Sequence, residues 1–283
     1  MIGYVYLVEG GGQRYVLKLY RPFDSDKALR STGILQYLRQ QDYPAAVIVP
    51  TRAGGSHVRI ETPRGSSVAI LFDYLDGQTP DLDREMAALA RQVGRLHRLM
   101  ETYPQPLPRR GQEFYIDRCI SILHALDYPA RRIAELAEYG RDCWARISRL
   151  PAGFCHGDLH TGNMLQTSPG RYTLFDFDIA SRTHPLIDVA TLCDDSNFNH
   201  FDPTAYQRTQ RVFERFYQGY RQERELNDAE IAAIFDFIPV RHYEIIATIT
   251  QCQGLEELSW PFLDQQYDWL LHWRELCERK GQV

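Results

Sequence analysis

Phe154-Cys155-His156-Gly157-Asp158-Leu159-His160-Thr161-Gly162-Asn163-Met164 is a polar loop with two glycines between apolar flanks. Shortly after it, Leu174-Phe175-Asp176-Phe177-Asp178 sets two acids at alternate positions behind an apolar run. Phosphoryl transfer needs a base near a hydroxyl, with an amide oxygen and a carboxylate on Mg²⁺ close by. Asp158, Asn163 and Asp176 are those residue types. Asp158 reads as the general base, although an Asp beside Gly157 also suits a plain turn. Asn163 offers a neutral oxygen and Asp176 a charged one, the hard donors that Mg²⁺ takes. Their ordinary readings are a turn residue beside Gly162 and a helix cap. Asp178 reads equally as a further metal ligand or a structural acid.

His156 and His160 stand four apart, which on a helix would suit a zinc pair. Gly157 and Gly162 favour a loop instead, and no Glu follows His156. His156 is expected to brace the loop by hydrogen bonding to backbone or to an acid.

Working outward, Tyr4–Glu9 and Gln13–Tyr20 read as strands joined by Gly10-Gly11-Gly12, a hairpin signal. The triple glycine joins strands, whereas a dinucleotide or Walker loop opens a helix. A helix is predicted over Asp24–Gln41, with Leu29, Ile34, Leu35 and Leu38 on its apolar face. Val47–Pro50, His57–Glu61 and Ser67–Tyr74 read as strands, with turns at Gly54-Gly55 and Pro63-Arg64-Gly65. Leu75-Asp76-Gly77-Gln78-Thr79-Pro80 is rich in breakers and reads as a linker. Beyond it the pattern is helical: Asp83–Thr102, Gln112–Leu126, Ala130–Leu150, Pro185–Cys193, Pro203–Arg224, Asp228–Thr250 and Glu256–Glu278. A short hairpin is expected around Thr167–Gly170. The expected class is α+β, with a β-rich unit over residues 1–75 and a mainly helical unit over 76–283. Ligand sites favour such junctions.

The chain has 283 residues, 44% of them hydrophobic, with a net charge of −5. That composition supports a packed core and argues against nucleic acid as a partner. No run approaches the length of a membrane span, and the N-terminus lacks the pattern of a signal peptide. The six cysteines include no C-x-x-C pair, and most of them read as buried thiols, which suits a cytoplasmic setting.

His156-Gly-Asp158-Leu-His160-x-Gly-Asn163 followed by Leu-Phe-Asp176-Phe-Asp178 resembles the signature of the aminoglycoside phosphotransferase and choline kinase superfamily. The resemblance implies a bilobal protein-kinase-like fold and an ATP- and Mg²⁺-dependent kinase. It makes Asp158 the catalytic base and Asn163 and Asp176 the magnesium ligands. Lys18, in Tyr15-Val16-Leu17-Lys18-Leu19-Tyr20, matches the strand lysine on the α- and β-phosphates. Phe72-Asp73-Tyr74-Leu75 falls at the inter-lobe hinge, whose backbone reads adenine. Asp188 resembles the structural acid beneath the catalytic loop, and Leu96-His97 fits as packing. Two departures stand out. The resemblance implies a strand and phosphate-covering loop before Tyr4–Glu9, where only Met1-Ile2-Gly3 stand. It also implies a glutamate partner for Lys18, yet Asp24–Gln41 contains no Glu and holds Arg30-Ser31-Thr32 at the expected place.

The acceptor region should lie after Asp178. Asp194, Asp195, Glu244, Glu256, Glu257, Asp264 and Asp268 occur there among Tyr243, Trp260, Tyr267, Trp269 and Trp273. Acids beside aromatics suit an ammonium group, which favours a small amine-bearing acceptor of aminoglycoside, choline, ethanolamine or homoserine type. Asp194, Asp195, Glu244 and Trp260 are the leading candidates. The alternatives are a non-catalytic nucleotide-binding pseudokinase and, more remotely, a zinc hydrolase using His156 and His160.

Overall fold

The computed structural model describes residues 3–63, 65–255 and 258–281. Met1, Ile2, Arg64, Glu256 and Glu257, used above in sequence assignments, lie outside them. β1 (Gly3–Gly10) and β2 (Gln13–Tyr20) form the expected hairpin. Gly11 and Gly12 turn it at φ +60° and +78°, where a side chain would be strained. α1 (Ser25–Gln40) follows, then β3 (Val58–Thr62) and β4 (Gly65–Asp73). The sheet is antiparallel in the order β1-β2-β4-β3. α1 covers it through Ala28, Ile34, Leu35 and Leu38.

Val47–Pro50, expected as a strand, is not one. Ile48 makes a single bridge to Phe72, and Val49 N–H donates to the Leu71 carbonyl. Pro44 and Pro50 bracket the segment and cannot donate, so a longer ladder has no room to form. The same segment reaches the other way. Ala46 N–H donates to Leu174 O (2.8 Å) and Leu174 N–H donates to Pro44 O (3.1 Å). It thereby ties the sheet to the helical part.

That part contains α2 (Leu82–Met100), α3 (Arg118–Ala125) and α4 (Ala130–Ile147). Two short ladders follow from β5 (Gly153–Cys155), β6 (Met164–Ser168), β7 (Arg171–Leu174) and β8 (Ser181–Thr183), with β5 on β8 and β6 on β7. α5 (Leu186–Cys193), α6 (Ala205–Tyr220), α7 (Asp228–Ala232), α8 (Ile234–Gln253) and α9 (Trp260–Arg279) complete the chain. The helix expected over Asp228–Thr250 is two helices, split at Ala233, with Asn227 and Glu230 forming a capping box on the first. The helix expected over Gln112–Leu126 begins as a π-helical turn, Glu113–Asp117. α2 buries Met86, Leu89, Ala90, Val93, Leu96 and Met100, the spacing of one helix face. α6 packs on that helix closely enough that a Cβ on Gly219 would sit 1.9 Å from the Ala87 carbonyl oxygen.

α5 places Asp188, fully buried, under the polar loop. Its Oδ2 accepts from His156 N–H (2.7 Å) and its Oδ1 from Gly157 N–H (2.9 Å). Cys155 Sγ donates at 3.3 Å and His97 Nε2 at 3.1 Å. His97, expected as packing, is therefore a polar partner; its Nδ1 meets the Tyr220 hydroxyl at 2.7 Å. Burial alone would raise the Asp188 carboxyl, but the bond from His97 and the loop N–H groups hold it below the ordinary range.

Asp188→Ala should cost about 3–5 kcal/mol of folding free energy, because it strands several buried donors around one lost charge. Urea unfolding with an unchanged midpoint would overturn that account. His242 generates a second expectation. It is buried against Trp269 (ring centroids 4.0 Å apart) and Gln266 Oε1 (2.7 Å), and burial pushes it down from 6.5 to about 3. The unfolded chain then binds the extra proton between those values, so stability falls as pH drops below about 6.5. His242→Phe should flatten the decline of Tm from about pH 7 to pH 4; an unaltered slope would count against the assignment.

Candidate active site

The loop above Asp188 turns at Gly157, with φ +86° and an ideal Cβ only 3.0 Å from the Ile179 carbonyl oxygen. Glycine is the residue that fits. Asp158 follows the turn and is half-buried. Its Oδ1 accepts from Arg241 Nη2 (2.7 Å) and its Oδ2 from Asn163 Nδ2 (3.1 Å). His160 Nδ1 accepts from Gly162 N–H (3.0 Å), so the neutral ring carries its proton on Nε2, 3.6 Å from Asp158 Oδ2. Burial would raise the Asp158 carboxyl; His160 and the Arg241 charge outweigh it and hold the group well below the carboxylate range. Asp158 is thus ionised at neutral pH.

Asn163 spends its amide N–H groups on Asp158, at the carbonyl (2.9 Å) and the carboxylate. Its oxygen is the group left over. Asp176 sits in the left-handed region (φ 64°, ψ 58°), a conformation uncommon for a residue with a side chain. Its side chain is 40% exposed and lies at the mouth of the cleft. These two oxygen donors suit a hard divalent cation.

Lys18 Nζ donates to Asp176 Oδ1 (2.9 Å) and to Asp178 Oδ2 (2.5 Å). The Tyr20 hydroxyl donates to the other oxygen of Asp178 (2.8 Å). The absent glutamate of α1 is thereby accounted for: Asp24 pairs with Lys27 (2.6 Å), and the partners of Lys18 come from the 176–178 segment. Burial works against the lysine charge, but Asp178 and Asp176 outweigh it and hold the ammonium protonated. Of the two acids, burial and the neighbouring Asp176 push Asp178 up, while Lys18 overcomes burial to hold Asp176 down. With both oxygens hydrogen-bonded and almost no exposure, Asp178 has the surroundings of a structural acid.

A cleft of about 320 Å³ opens over these groups. Val5, Val16, Leu35, Ala46, Leu165 and Phe175 give it apolar walls, and Phe72, Asp73, Tyr74 and Leu75 form one edge. Asp73 N–H donates to Val47 O and Tyr74 N–H to Arg14 O, whereas Leu75 makes no hydrogen bond to the described residues.

The acceptor candidates are not gathered there. Asp195 is paired with Arg208 (3.1 Å) on α6, and Asp194 accepts from Ser196 N–H (2.9 Å). Trp260 is exposed and lies edge-on to Tyr128. Glu244 comes near the site but is bound by Arg241, by Thr248 Oγ1 (2.6 Å) and by Arg118 (3.7 Å). The histidine pair is also separated: His156 Nε2 donates to the Phe175 carbonyl (3.1 Å), and the loop between the rings is not helical. Among the described residues no three His, Cys, Asp or Glu side chains gather as a metal cluster. Arg241 escaped the sequence reading. Its one local signal is Glu244 three residues on, and its partner Asp158 is 83 residues away.

The profile of the Phosphotransferase enzyme family (APH) matches residues 2–226. The amicoumacin kinase of Bacillus subtilis (strain 168) is 24% identical over 273 residues, covering 90% of this chain and 80% of the relative. A solved structure of the microcompartment-associated aminopropanol kinase superposes with a TM-score of 0.76 at 23% identity, over 98% of this chain and 89% of that one. Amicoumacin kinase hAmiN, in complex with AMP-PNP, Ca²⁺ and Ami, superposes with a TM-score of 0.75 at 23% identity, over 98% and 86%. These likenesses show the kinase-like fold, and a profile spanning both the sheet and the catalytic loop shows the lineage: the chain belongs to the APH phosphotransferase enzyme family.

Proposed function

We propose that the protein is an ATP- and Mg²⁺-dependent kinase that phosphorylates a hydroxyl of a small molecule. One observation carries the reading: Lys18 and Asp176, 158 residues apart, pair on the wall of one apolar cleft, and the loop that holds Asp158 and Asn163 is bonded to the same segment, Phe175 N–H donating to Asn163 O (3.1 Å). Asn163 and Asp176 would hold the metal, since Asp176 lines the cleft and the Asn163 side-chain oxygen is the part of its amide not spent on Asp158. A divalent cation held by them would supply neutralisation of charge on the transferring phosphate oxygens. Lys18 would meet the phosphates, kept in place by Asp178 and Tyr20. The apolar walls suit an adenine ring, and the unpaired Leu75 N–H suits its polar edge.

Asp158 would orient the acceptor hydroxyl and receive its proton. Held ionised by Arg241, it is a weak base, so its main contribution is alignment; in a loose transition state the proton leaves late. The meeting of the full set argues against a non-catalytic nucleotide sensor. The amine-bearing class of acceptor has less support than its acids suggested, because Glu244 and Asp195 already bind arginines. No described helix is long and apolar enough to cross a membrane. Five of the six cysteines are buried, which suits a reducing cytoplasm.

Asp158→Asn should lower kcat by about 10²–10⁴-fold while the Tm shift given by ATP-Mg²⁺ persists. Retained turnover in a screen of hydroxyl metabolites would rule out the assignment of the base. Binding of ATP-Mg²⁺ without any phosphoryl transfer by the unaltered chain would favour the sensor.

A further inference from the structure

Next to Asp158, and apart from the residues that line the cleft, lies a group of arginines with no role in the proposed function. Arg241 on α8 holds Asp158 with Nη2 and Glu244 with Nη1. Glu244 also faces Arg118 at the start of α3 (3.7 Å). The guanidinium groups of Arg118 and Arg110 both lie over the Phe114 ring, at 4.1 and 4.0 Å from its centre. Arg110 is within electrostatic reach of Tyr115, Glu244 and Arg118, yet it makes no ion pair among the described residues. Three arginines face two carboxylates, Asp158 and Glu244, so the group carries one uncompensated positive charge.

Its donors are also unfilled. Arg110 Nη1, Arg118 Nε, Arg241 Nε and the Tyr115 hydroxyl are buried and lack a hydrogen-bond partner among the described residues. Each such group costs about 1–3 kcal/mol, and more when charged. Four of them fall within one contact network, where a single anionic ligand could meet several at once. Tyr115 lies in the π-helical turn Glu113–Asp117, and such turns are frequent at functional sites.

We infer that this group binds an anionic substituent of the acceptor, a carboxylate, so that the substrate class is a small hydroxy acid. The inference rests on the kinase reading only for the position of the hydroxyl, at Asp158. A single negative charge balances the arginine excess, and arginine forks match the two oxygens of a carboxylate. Arg241 touches both the base and this group, so a short linker separates the hydroxyl from the anion. Arg110 contributes specificity without touching Asp158.

The test compares acceptors that differ only in the carboxylate: homoserine against 3-aminopropan-1-ol, and serine against ethanolamine, with ATP-Mg²⁺ and the full chain. The carboxylated member of a pair should show a kcat/KM higher by about tenfold or more, as expected for a desolvated charge contact. Arg110→Gln should erase that difference through KM, and Arg110→Lys, which keeps the charge but loses the fork, should restore part of it. Equal use of both members, or preference for the amino alcohol, would overturn the inference and leave the kinase reading standing. Should no acceptor of the panel turn over, calorimetric titration of homoserine and serine with AMP-PNP present decides: binding that is lost in Arg110→Gln supports the inference, and no binding overturns it. Failure of the kinase reading itself shows separately, as absence of any ATP-Mg²⁺ effect on Tm.

Discussion

The Asp188 carboxylate is the interaction on which the site depends. A loop that turns through Gly157 leaves two N–H groups pointing into a dry interior, and an unpaired buried donor is expensive. Asp188 accepts both and is itself kept ionised by them and by His97. The chain runs helix to helix here: α2 supplies His97, α6 supplies Tyr220 behind it, and α5 supplies the acid. Three helices are thereby locked to one loop. The position of Asp158, two residues past His156, follows from that lock and needs no further support from the sheet.

The β-rich part is coupled to the loop by charge. Lys18 reaches across to Asp176 and Asp178, and Tyr20 fixes the second acid from the same strand. A lysine between two carboxylates stays protonated, and two carboxylates beside one lysine separate in acidity, the more buried one rising. The consequence is a division of labour. Asp178 is buried and fully bonded, while Asp176 is open to the cleft. The strained backbone of Asp176 fits that picture, since it turns the side chain outwards while Phe177 goes into the core.

On the other face, the ionised Asp158 is balanced by Arg241, and Arg241 by Glu244. Such a chain of alternating charges is tolerable in the interior only if every member is met. It is met as far as Glu244 and Arg118, and stops at Arg110. The electrostatics around Asp158 therefore differ from what the abundance of acids in the second half of the chain suggests.

Much of this was legible in the linear chain. The hairpin with its glycines, α1, the loop Phe154–Met164 and the acid pair at 176 and 178 follow from local rules: alternation, helical spacing, and the need of special backbone angles for glycine. The residues proposed to carry the chemistry, Asp158, Asn163, Asp176 and Lys18, could be named because their types and spacing are unusual together. Their partners could not. Val47–Pro50 looked like a strand because its residues are apolar and β-branched, but strand pairing needs a neighbour, and two prolines limit it to a bridge. Lys18 finds its acids 158 and 160 residues away. Arg241 looks like any charge on a helix until α8 packs beneath the loop, and Asp195 and Glu244 look free until Arg208 and Arg241 reach them. Local geometry is set by neighbours along the chain, so sequence determines it. Which charges cancel, and which remain to bind something, is set by distance in space, and that only the tertiary packing decides.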